Sequence, residues 1–243
     1  KNQKEHDRWI RIATKFPDNF LHYQDGHVFF PSAGWLASRD LIEQTHSIKQ
    51  HIKKVSWTGD GWVLKHKGGS VRADAVILAN GAQTSPVTMP TLIDVIPGIV
   101  LSVHLKDPIS QVITGSNSIF PSTKKRSTIS GIYDRKLDKI SKGHIDKLLQ
   151  DIKITPEVLS ADIGLRATTK DRLPLCGAAP DWSNPNALDQ VGLYLLQGLG
   201  SHGATTARIC AEHITNLITQ EPSSLGISMQ KAIEPRRFIQ RNG

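Results

Sequence analysis

The 243-residue sequence has little of the features that mark secreted, membrane and metal-binding proteins. Its two cysteines, Cys176 and Cys210, are too few for a disulfide-stabilised domain and lack zinc-ligand spacing, so we interpret them as packing residues in a reducing compartment. The longest apolar runs, 73–78 and 191–196, have the length of strands rather than of membrane spans. We therefore expect a cytoplasmic protein without a membrane segment.

The sequence also lacks the patterns of several active sites and of a targeting segment. Its 10 histidines are scattered without a ligand spacing, so no metal site is predicted. No Ser/His/Asp or Cys/His arrangement indicates nucleophilic catalysis. The first residues are not followed by an apolar region, so we expect no signal peptide, and the sequence does not begin with methionine.

Positive charge is what the sequence has in excess. Lys and Arg number 30 against 22 Asp and Glu, a formal net charge of +8, which favours an anionic partner. Three basic clusters are candidate phosphate contacts, although each could equally be a solvated face: Lys124, Lys125 and Arg126; Lys49, Lys53 and Lys54; and Arg236, Arg237 and Arg241.

Hydrophobic periodicity predicts a mixed α/β protein. A short amphipathic turn and a hairpin occupy residues 1–30, and a helix is expected after Ser38. Alternating patterns predict a three-strand meander over 52–72, and the continuous apolar run 75–79 predicts a strand buried on both faces of a parallel sheet. The remaining predicted elements are strands at 96–105, 111–120, 127–133 and 192–197, helices at 141–152 and 204–219, and a Gly/Pro-punctuated segment at 164–185.

Glycine clusters follow two of the predicted strands. Gly198-Leu199-Gly200-Ser201-His202-Gly203 matches G-x-G-x-x-G between a strand and a helix, which fits either a nucleotide-binding turn or a turn packed against the core. Asn80-Gly81 lies at the carboxyl end of the predicted buried strand, where ligands sit in open α/β sheets. A third cluster, Gly34-Trp35, precedes a predicted helix, and Trp35 is equally explained as a core residue.

Four segments occur in an order that resembles the FAD-dependent amine oxidases of the D-amino-acid oxidase and glycine oxidase type. Residues 31–37 resemble the family's P-x-G-G-W-L stretch, and 73–82 resemble the strand that ends beside the flavin. Residues 164–177 resemble the signature G-x-R-x-x-T-x-D-x-x-P-x-x-G, and 192–203 resemble the closing strand and glycine turn. Within this superfamily the segments are most similar to the oxidoreductase half of bifunctional enzymes that modify the wobble uridine of tRNA.

The sequence departs from the family pattern at several points. Ala33 replaces the second glycine before the tryptophan, Ile99 replaces a usual glutamine, and His202 stands where arginine is common. An amino-terminal β-α-β unit with the adenine-side glycine motif is missing, as is the methyltransferase half of the bifunctional enzymes. We therefore expect a fragment or a remnant of a longer protein that retains FAD weakly or not at all.

The resemblance implies a partial FAD-binding Rossmann-like domain with a β-meander, interleaved with an antiparallel substrate domain. Segments 1–33 and 95–169 would belong to the substrate domain, and 34–94 and 170–243 to the FAD-binding domain. The implied reaction is FAD-dependent oxidation of the carboxymethylaminomethyl group on a tRNA wobble 2-thiouridine to the aminomethyl form. The intact protein would then methylate that amine with S-adenosylmethionine.

The resemblance also implies roles for individual residues. Arg166 would bind the substrate carboxylate, because a guanidinium matches a carboxylate with two hydrogen bonds, and Tyr133 is a second candidate on the substrate side. An ion pair of Arg166 with Asp162 or Asp171 is the structural alternative. The candidate flavin contacts are Gly34, Trp35, Asn80, Gly81, Gly198, Leu199, Gly200, Ser201, His202 and Gly203.

Two other functions remain open at this point. The chain could belong to an oxidase of free glycine or sarcosine, which would use the same arginine for the same carboxylate. It could also be a non-catalytic RNA-binding fragment that holds no flavin. The basic tail and the Asn-Gly-Ala-Gln-Thr-Ser stretch at 80–85 favour tRNA as the partner.

Overall fold

The computed structural model describes residues 3–24, 26–35, 47, 49–83, 92–115, 117–121, 126–152, 155–184 and 186–240. Their strands form four sheets, of two, five, three and three strands, and helices accompany them in a mixed α/β fold, as the sequence predicted. No helix among these residues is long and apolar enough to cross a bilayer, and no cluster of potential metal ligands occurs among them.

The amino-terminal segment forms a helix and a hairpin. Helix α1 (Gln3–Ala13) is longer than the predicted amphipathic turn, and the predicted hairpin is confirmed as β1 (His22–Gln24) and β2 (His27–Phe29). The hydroxyl of Tyr23 lies 2.7 Å from Nδ1 of His6 and joins the two parts. The helix predicted after Ser38 falls outside the described residues.

The predicted meander is confirmed as three antiparallel strands. These are β3 (Lys54–Trp57), β4 (Trp62–His66) and β5 (Gly69–Ala73). Alternate side chains face a core that contains Val55, Trp62 and Leu64, so the other face of the sheet points to solvent.

A small sheet behind the meander combines β12 (Leu175–Ala178), β13 (Leu193–Gln197) and β6 (Val76–Leu78) in that order. Strand β6 pairs in parallel with β13, as predicted, but the prediction of burial on both faces was wrong. Ile77 is 46% exposed because the helix that covers this face packs against β12 and β13, whereas β6 lies at the edge of the described sheet. Helix α3 (Gly203–Thr219) packs on this sheet, and both free cysteines are buried there.

The largest sheet is antiparallel and has five strands. They are β7 (Ile93–His104), β8 (Ile113–Thr114), β9 (Ser118–Phe120), β10 (Ser127–Tyr133) and β11 (Glu157–Thr169), in the spatial order β11-β7-β10-β9-β8. Helix α2 (Lys142–Ile152) covers one face of the sheet, and the core between them includes Ile99, Leu101, Ile129 and Leu148. Two predictions are corrected: 111–120 is a hairpin rather than one strand, and β11 extends into the Gly/Pro-punctuated segment up to Thr169.

The basic carboxyl-terminal tail is folded. It forms α4 (Ile227–Ile233) and α5 (Arg237–Gln240), and Phe238 lies in the same core as Trp62 and Leu193. The tail is therefore part of the packed molecule up to its last helix.

Candidate active site

The carboxyl ends of β6 and β13 lie side by side because the two strands are parallel neighbours. Gln197 ends β13, and its side-chain amide donates a hydrogen bond to the side-chain oxygen of Asn80 beyond the end of β6. Asn80 Nδ2 in turn donates to the carbonyl oxygen of Gln83 at 2.5 Å, and Gly81 has a φ of +60°. The structure thus brings the Asn80-Gly81 corner and the start of the glycine turn together.

The glycine turn, residues 198–203, is packed directly against strand β11. Leu199 forms an isolated antiparallel bridge with Thr168, and a Cβ at Gly198 would lie 2.8 Å from Cγ2 of Thr169. Gly198 and Gly200 have φ values of +65° and +61°, which glycine adopts without strain. Close packing therefore explains these two glycines, and it holds the turn two residues along β11 from Arg166.

Helix α3 begins at the end of this turn without a side-chain cap. His202 is its N-cap residue, and no side chain among the described residues hydrogen-bonds to its first backbone N–H groups. Ser201 and His202 are exposed there. Uncapped N–H groups and the positive end of the helix dipole favour a ligand with acceptor atoms or negative charge.

Arg166 and Tyr133 are in contact on the open face of the large sheet. The guanidinium carbon of Arg166 lies 3.6 Å from the centre of the Tyr133 ring. No described carboxylate pairs with Arg166, because Asp171 binds Arg237 instead and Asp162 accepts a hydrogen bond from Ser160. The ion-pair alternative is therefore not what the structure shows for Arg166.

A β-bulge and a glycine set the position of the Tyr133 ring. The register of β10 against β7 shifts between Gly131 and Tyr133, and Ile132 has a φ of +50°, which is rare for a β-branched residue. The ring then lies over Gly98, where a Cβ would come within 2.4 Å of its Cδ1 atom. Gly98 therefore provides the space that lets the tyrosine lie flat beside Arg166.

Among the described residues, no hydrogen bond, ion pair or ring contact joins Gly34 or Trp35 to this cluster. Nothing lies within 4 Å of a Cβ built at Gly34, and Trp35 is 37% exposed. The structure thus brings together the Asn80-Gly81 corner, the glycine turn and the strand that carries Arg166, but not the third predicted cluster.

The structure corrects the prediction that Arg237 contacts nucleic acid. Its side chain is 5% exposed and forms an ion pair with Asp171, with Nε 2.9 Å from Oδ2. Burial raises the pKa of Asp171, but hydrogen bonds from Arg237, the Leu173 N–H and Thr169, together with the charge of Arg237, outweigh it and lower that pKa to about 2.

The other predicted nucleic-acid contacts are placed only in part. Arg236 is half-buried and bonds to Asp189 and to the carbonyl oxygen of Ala187, and Arg126 is exposed at the start of β10. Lys124, Lys125 and Arg241 lie outside the described residues.

Sequence reasoning missed two residues of this region, Gln197 and Gly98. Gln197 is 2% exposed, and its Oε1 atom has no hydrogen-bond partner among the described residues. A glutamine that ends an otherwise apolar strand was the available signal, since a buried polar side chain needs a reason. Gly98 matches the glycine of the family's usual glycine–glutamine pair, which was its available signal, but only the fold places an aromatic ring above it.

Comparisons with known proteins agree with this geometry. The family model described as DAO, FAD dependent oxidoreductase, matches residues 2–217. The tRNA 5-methylaminomethyl-2-thiouridine biosynthesis bifunctional protein MnmC of Marinobacter nauticus is 26% identical over 240 residues, which cover 87% of this chain and 37% of that protein. The protein of the same name from Methylobacillus flagellatus is 25% identical over 295 residues, covering 99% and 45%.

A similar fold occurs in the crystal structure of glycine oxidase from Geobacillus kaustophilus. The TM-score is 0.61 at 19% sequence identity, over 76% of this chain and 51% of that one. The chain spans about two fifths of the length of the two bifunctional relatives. Because the family model covers most of the sequence, the chain belongs to the DAO family of FAD-dependent oxidoreductases.

Proposed function

We propose that this chain carries the substrate-binding face and part of the flavin site of an enzyme that oxidises the carboxymethylaminomethyl group on a tRNA wobble 2-thiouridine to the aminomethyl form. The observation that carries the proposal is Arg166, an arginine without a carboxylate partner among the described residues, beside the glycine turn. The name of the bifunctional relatives, which describes a role in tRNA thiouridine biosynthesis, supports tRNA as the substrate class. Methylation of the product would belong to a longer protein of their kind.

The described residues fit the ring end of a flavin. The first backbone N–H groups of α3 have no side-chain cap, and Gln197 Oε1 is a buried acceptor without a partner among the described residues. Gly200 has a φ of +61° and packs against Thr168, which holds the turn in place beside β11. These groups would hold the flavin with backbone and amide hydrogen bonds rather than with charged side chains.

A bound flavin supplies the acceptor for a hydride from the carbon between the amine and the carboxylate, and water then splits the resulting imine into the free aminomethyl group and glyoxylate. Arg166 would hold the carboxylate by two parallel hydrogen bonds, which fixes the position of that carbon. Tyr133 would keep the guanidinium in place through its ring face. The positive end of α3 would stabilise negative charge near the turn.

The test is a comparison of Arg166→Lys and Arg166→Met with Arg11→Met, a matched control in which an exposed arginine of α1 is lost. Each protein is supplied with free FAD and with tRNA carrying the carboxymethylaminomethyl group, and the nucleosides are quantified after digestion. We expect KM to rise about tenfold for Arg166→Lys and about a hundredfold for Arg166→Met, because the first loses the paired hydrogen bonds and the second also loses the charge. Arg11→Met should match the wild type.

Three results would overturn the proposal. Equal KM values in the Arg166 variants and the wild type would remove the carboxylate role. Oxidation of free glycine or sarcosine but not of the tRNA would assign a free amino-acid oxidase. Absence of any flavin binding, measured by quenching of flavin fluorescence at saturating protein, would favour a non-catalytic fragment.

A further inference from the structure

The meander of β3, β4 and β5 holds an uneven share of the positive charge. Residues 49–74 contain six Lys or Arg and only two acidic residues, Asp60 and Asp74. Asp60 already forms an ion pair with Arg72, at 2.8 Å. Asp74 is therefore the one other acidic residue in this segment that could balance the charge of its lysines. Those lysines are Lys49, Lys53, Lys54, Lys65 and Lys67.

Two of these lysines stand directly opposite each other in the sheet. Lys54 of β3 is the register partner of Lys65 of β4, and both are exposed. Neither forms an ion pair among the described residues. Like charges that face each other across antiparallel strands destabilise the sheet. The pair is therefore unfavourable for folding and needs another explanation.

Strand alternation collects the basic side chains on one side of the sheet. Val55 and Leu64 point into the core, so their neighbours Lys54 and Lys65 point outward. Arg72 of β5 is on the same outward side, since it pairs with Val63, two residues before Lys65. This basic face, formed by Lys54, Lys65 and Arg72, has the charge that a polyanion requires.

The basic face is remote from the candidate active site. Strand β5 leads into the amino end of β6, and Trp62 Nε1 donates to the Val191 carbonyl oxygen at 2.9 Å, just before β13 begins. The site lies at the carboxyl ends of the same two strands. Five residues of β13 span about 17 Å at about 3.4 Å per residue, so a small anionic substrate could not occupy both places.

We propose that the basic face binds backbone phosphates of the substrate tRNA at a distance from the modified base. The inference rests on the proposed function for the choice of tRNA among polyanions. An extended nucleic acid can reach both ends of the small sheet, and its phosphates would relieve the repulsion between Lys54 and Lys65. Such contacts add affinity without reading sequence.

The experiment uses the full chain with Lys54→Gln, Lys65→Gln and the double variant. The matched control is Lys147→Gln, at a solvent-exposed position of α2. Binding of fluorescently labelled tRNA is measured by anisotropy over a range of KCl concentrations, and the melting temperature Tm is measured without tRNA. Each single variant should raise Kd about fivefold at low salt. Each lost contact should make the slope of log K against log [KCl] shallower by about 0.7–0.9, the range between single strands and duplex DNA.

The same substitutions should have the opposite effect on folding. Removing one charge of the facing pair should raise Tm by about 1–2 °C, whereas Lys147→Gln should change neither Tm nor Kd. A rise in Tm together with a loss of tRNA affinity is the expected signature, since a solvated surface lysine would change neither quantity.

The outcomes separate this inference from the proposed function. Oxidation of the isolated modified nucleoside, which has no phosphate chain, tests the function alone and should be equal in all four variants and the wild type. Equal tRNA binding by the double variant and Lys147→Gln would overturn the inference, as would failure of the wild type to bind tRNA at low salt. Preferential binding of phosphatidylglycerol vesicles, lost in the double variant, would also overturn it and assign the face to a membrane surface.

Discussion

Two arginines, Arg166 within the family signature and Arg237 bound to it, differ in burial and in hydrogen bonding. Arg166 lies on the open face of the large sheet, where its guanidinium stacks on the Tyr133 ring and forms no ion pair with a described carboxylate. Arg237 lies in the carboxyl-terminal tail and forms an ion pair with Asp171, a residue of the same signature. Its side chain is almost fully buried. The first arginine came from the family pattern as a binding residue, and the second was predicted from the basic tail as an RNA contact.

The hydrogen bonds of Arg237 leave none of its donors for a ligand. A guanidinium has five N–H donors, and those of Arg237 make five bonds of 2.8–3.1 Å. Two go to the carboxylate of Asp171, and the others go to backbone carbonyl oxygens of Leu173, Ile233 and Glu234. An arginine with every donor satisfied holds the fold together, whereas one with donors to spare can hold a substrate.

Removal of the buried guanidinium of Arg237 should have the largest effect on the stability of the protein. Arg237→Met removes the buried charge that faces the Asp171 carboxylate and five hydrogen bonds, so we expect the free energy of unfolding to fall by about 3–5 kcal/mol. Urea titration followed by circular dichroism measures the change. Arg72→Met, which removes the exposed ion pair with Asp60, is the control and should leave the urea midpoint unchanged. Equal effects of the two variants would contradict the assignment of Arg237 as structural.

The pH dependence of stability gives a second, smaller contrast. The pKa of Asp171 is about 2 in the folded protein, against 3.8 for an unperturbed aspartate, so the folded state prefers the ionised carboxylate. Its contribution of about 2 kcal/mol is complete above pH 4 and is lost as pH falls from about 4 to 2. Arg166 forms no ion pair with a described carboxylate, so it should make no such contribution to the pH dependence of stability.

The measurement is the urea midpoint of the wild type and of Asp171→Asn between pH 6 and pH 2.5. Asparagine does not titrate, so the difference in stability between the two proteins should shrink as the pH falls. Other carboxylates contribute equally to both proteins and cancel in the difference. A difference that stays constant over this range would show that the Asp171 carboxylate has the same pKa in the folded and unfolded chain.

The elements that the sequence predicted correctly are those decided by local patterns. Alternating side chains gave the meander and the amino-terminal hairpin, because one face of each sheet meets a core. Strand β6 shows the limit of this reasoning: a continuous apolar run does not tell a central strand from an edge strand, and Ile77 proved to be exposed. That distinction depends on which strands pair, which the run itself does not encode.

The role of a site residue could be predicted where its type matches a known chemistry. It could not be predicted where tertiary contacts determine the position or burial of the side chain. Arg166 followed from the family signature and from the fit of guanidinium to carboxylate. The burial of Arg237 could not be read from a tail that looks like a solvated basic segment. The placement of the Tyr133 ring depends on the bulge at Ile132 and on the absence of a side chain at Gly98, a residue far from it in sequence.

The smallest expected effect is the loss of stability in Arg166→Met. Its described interaction is the cation–π contact with Tyr133, which contributes about 0.5–1 kcal/mol at a partly exposed site. The double-mutant cycle of Arg166→Met with Tyr133→Leu, measured by urea unfolding, should give a coupling energy of this size. A binding arginine should therefore be nearly dispensable for folding and necessary for substrate affinity, whereas Arg237 should be necessary for folding. If Arg166→Met destabilised the protein as much as Arg237→Met does, its guanidinium would be structural too, and its availability to a carboxylate would no longer follow from its surroundings.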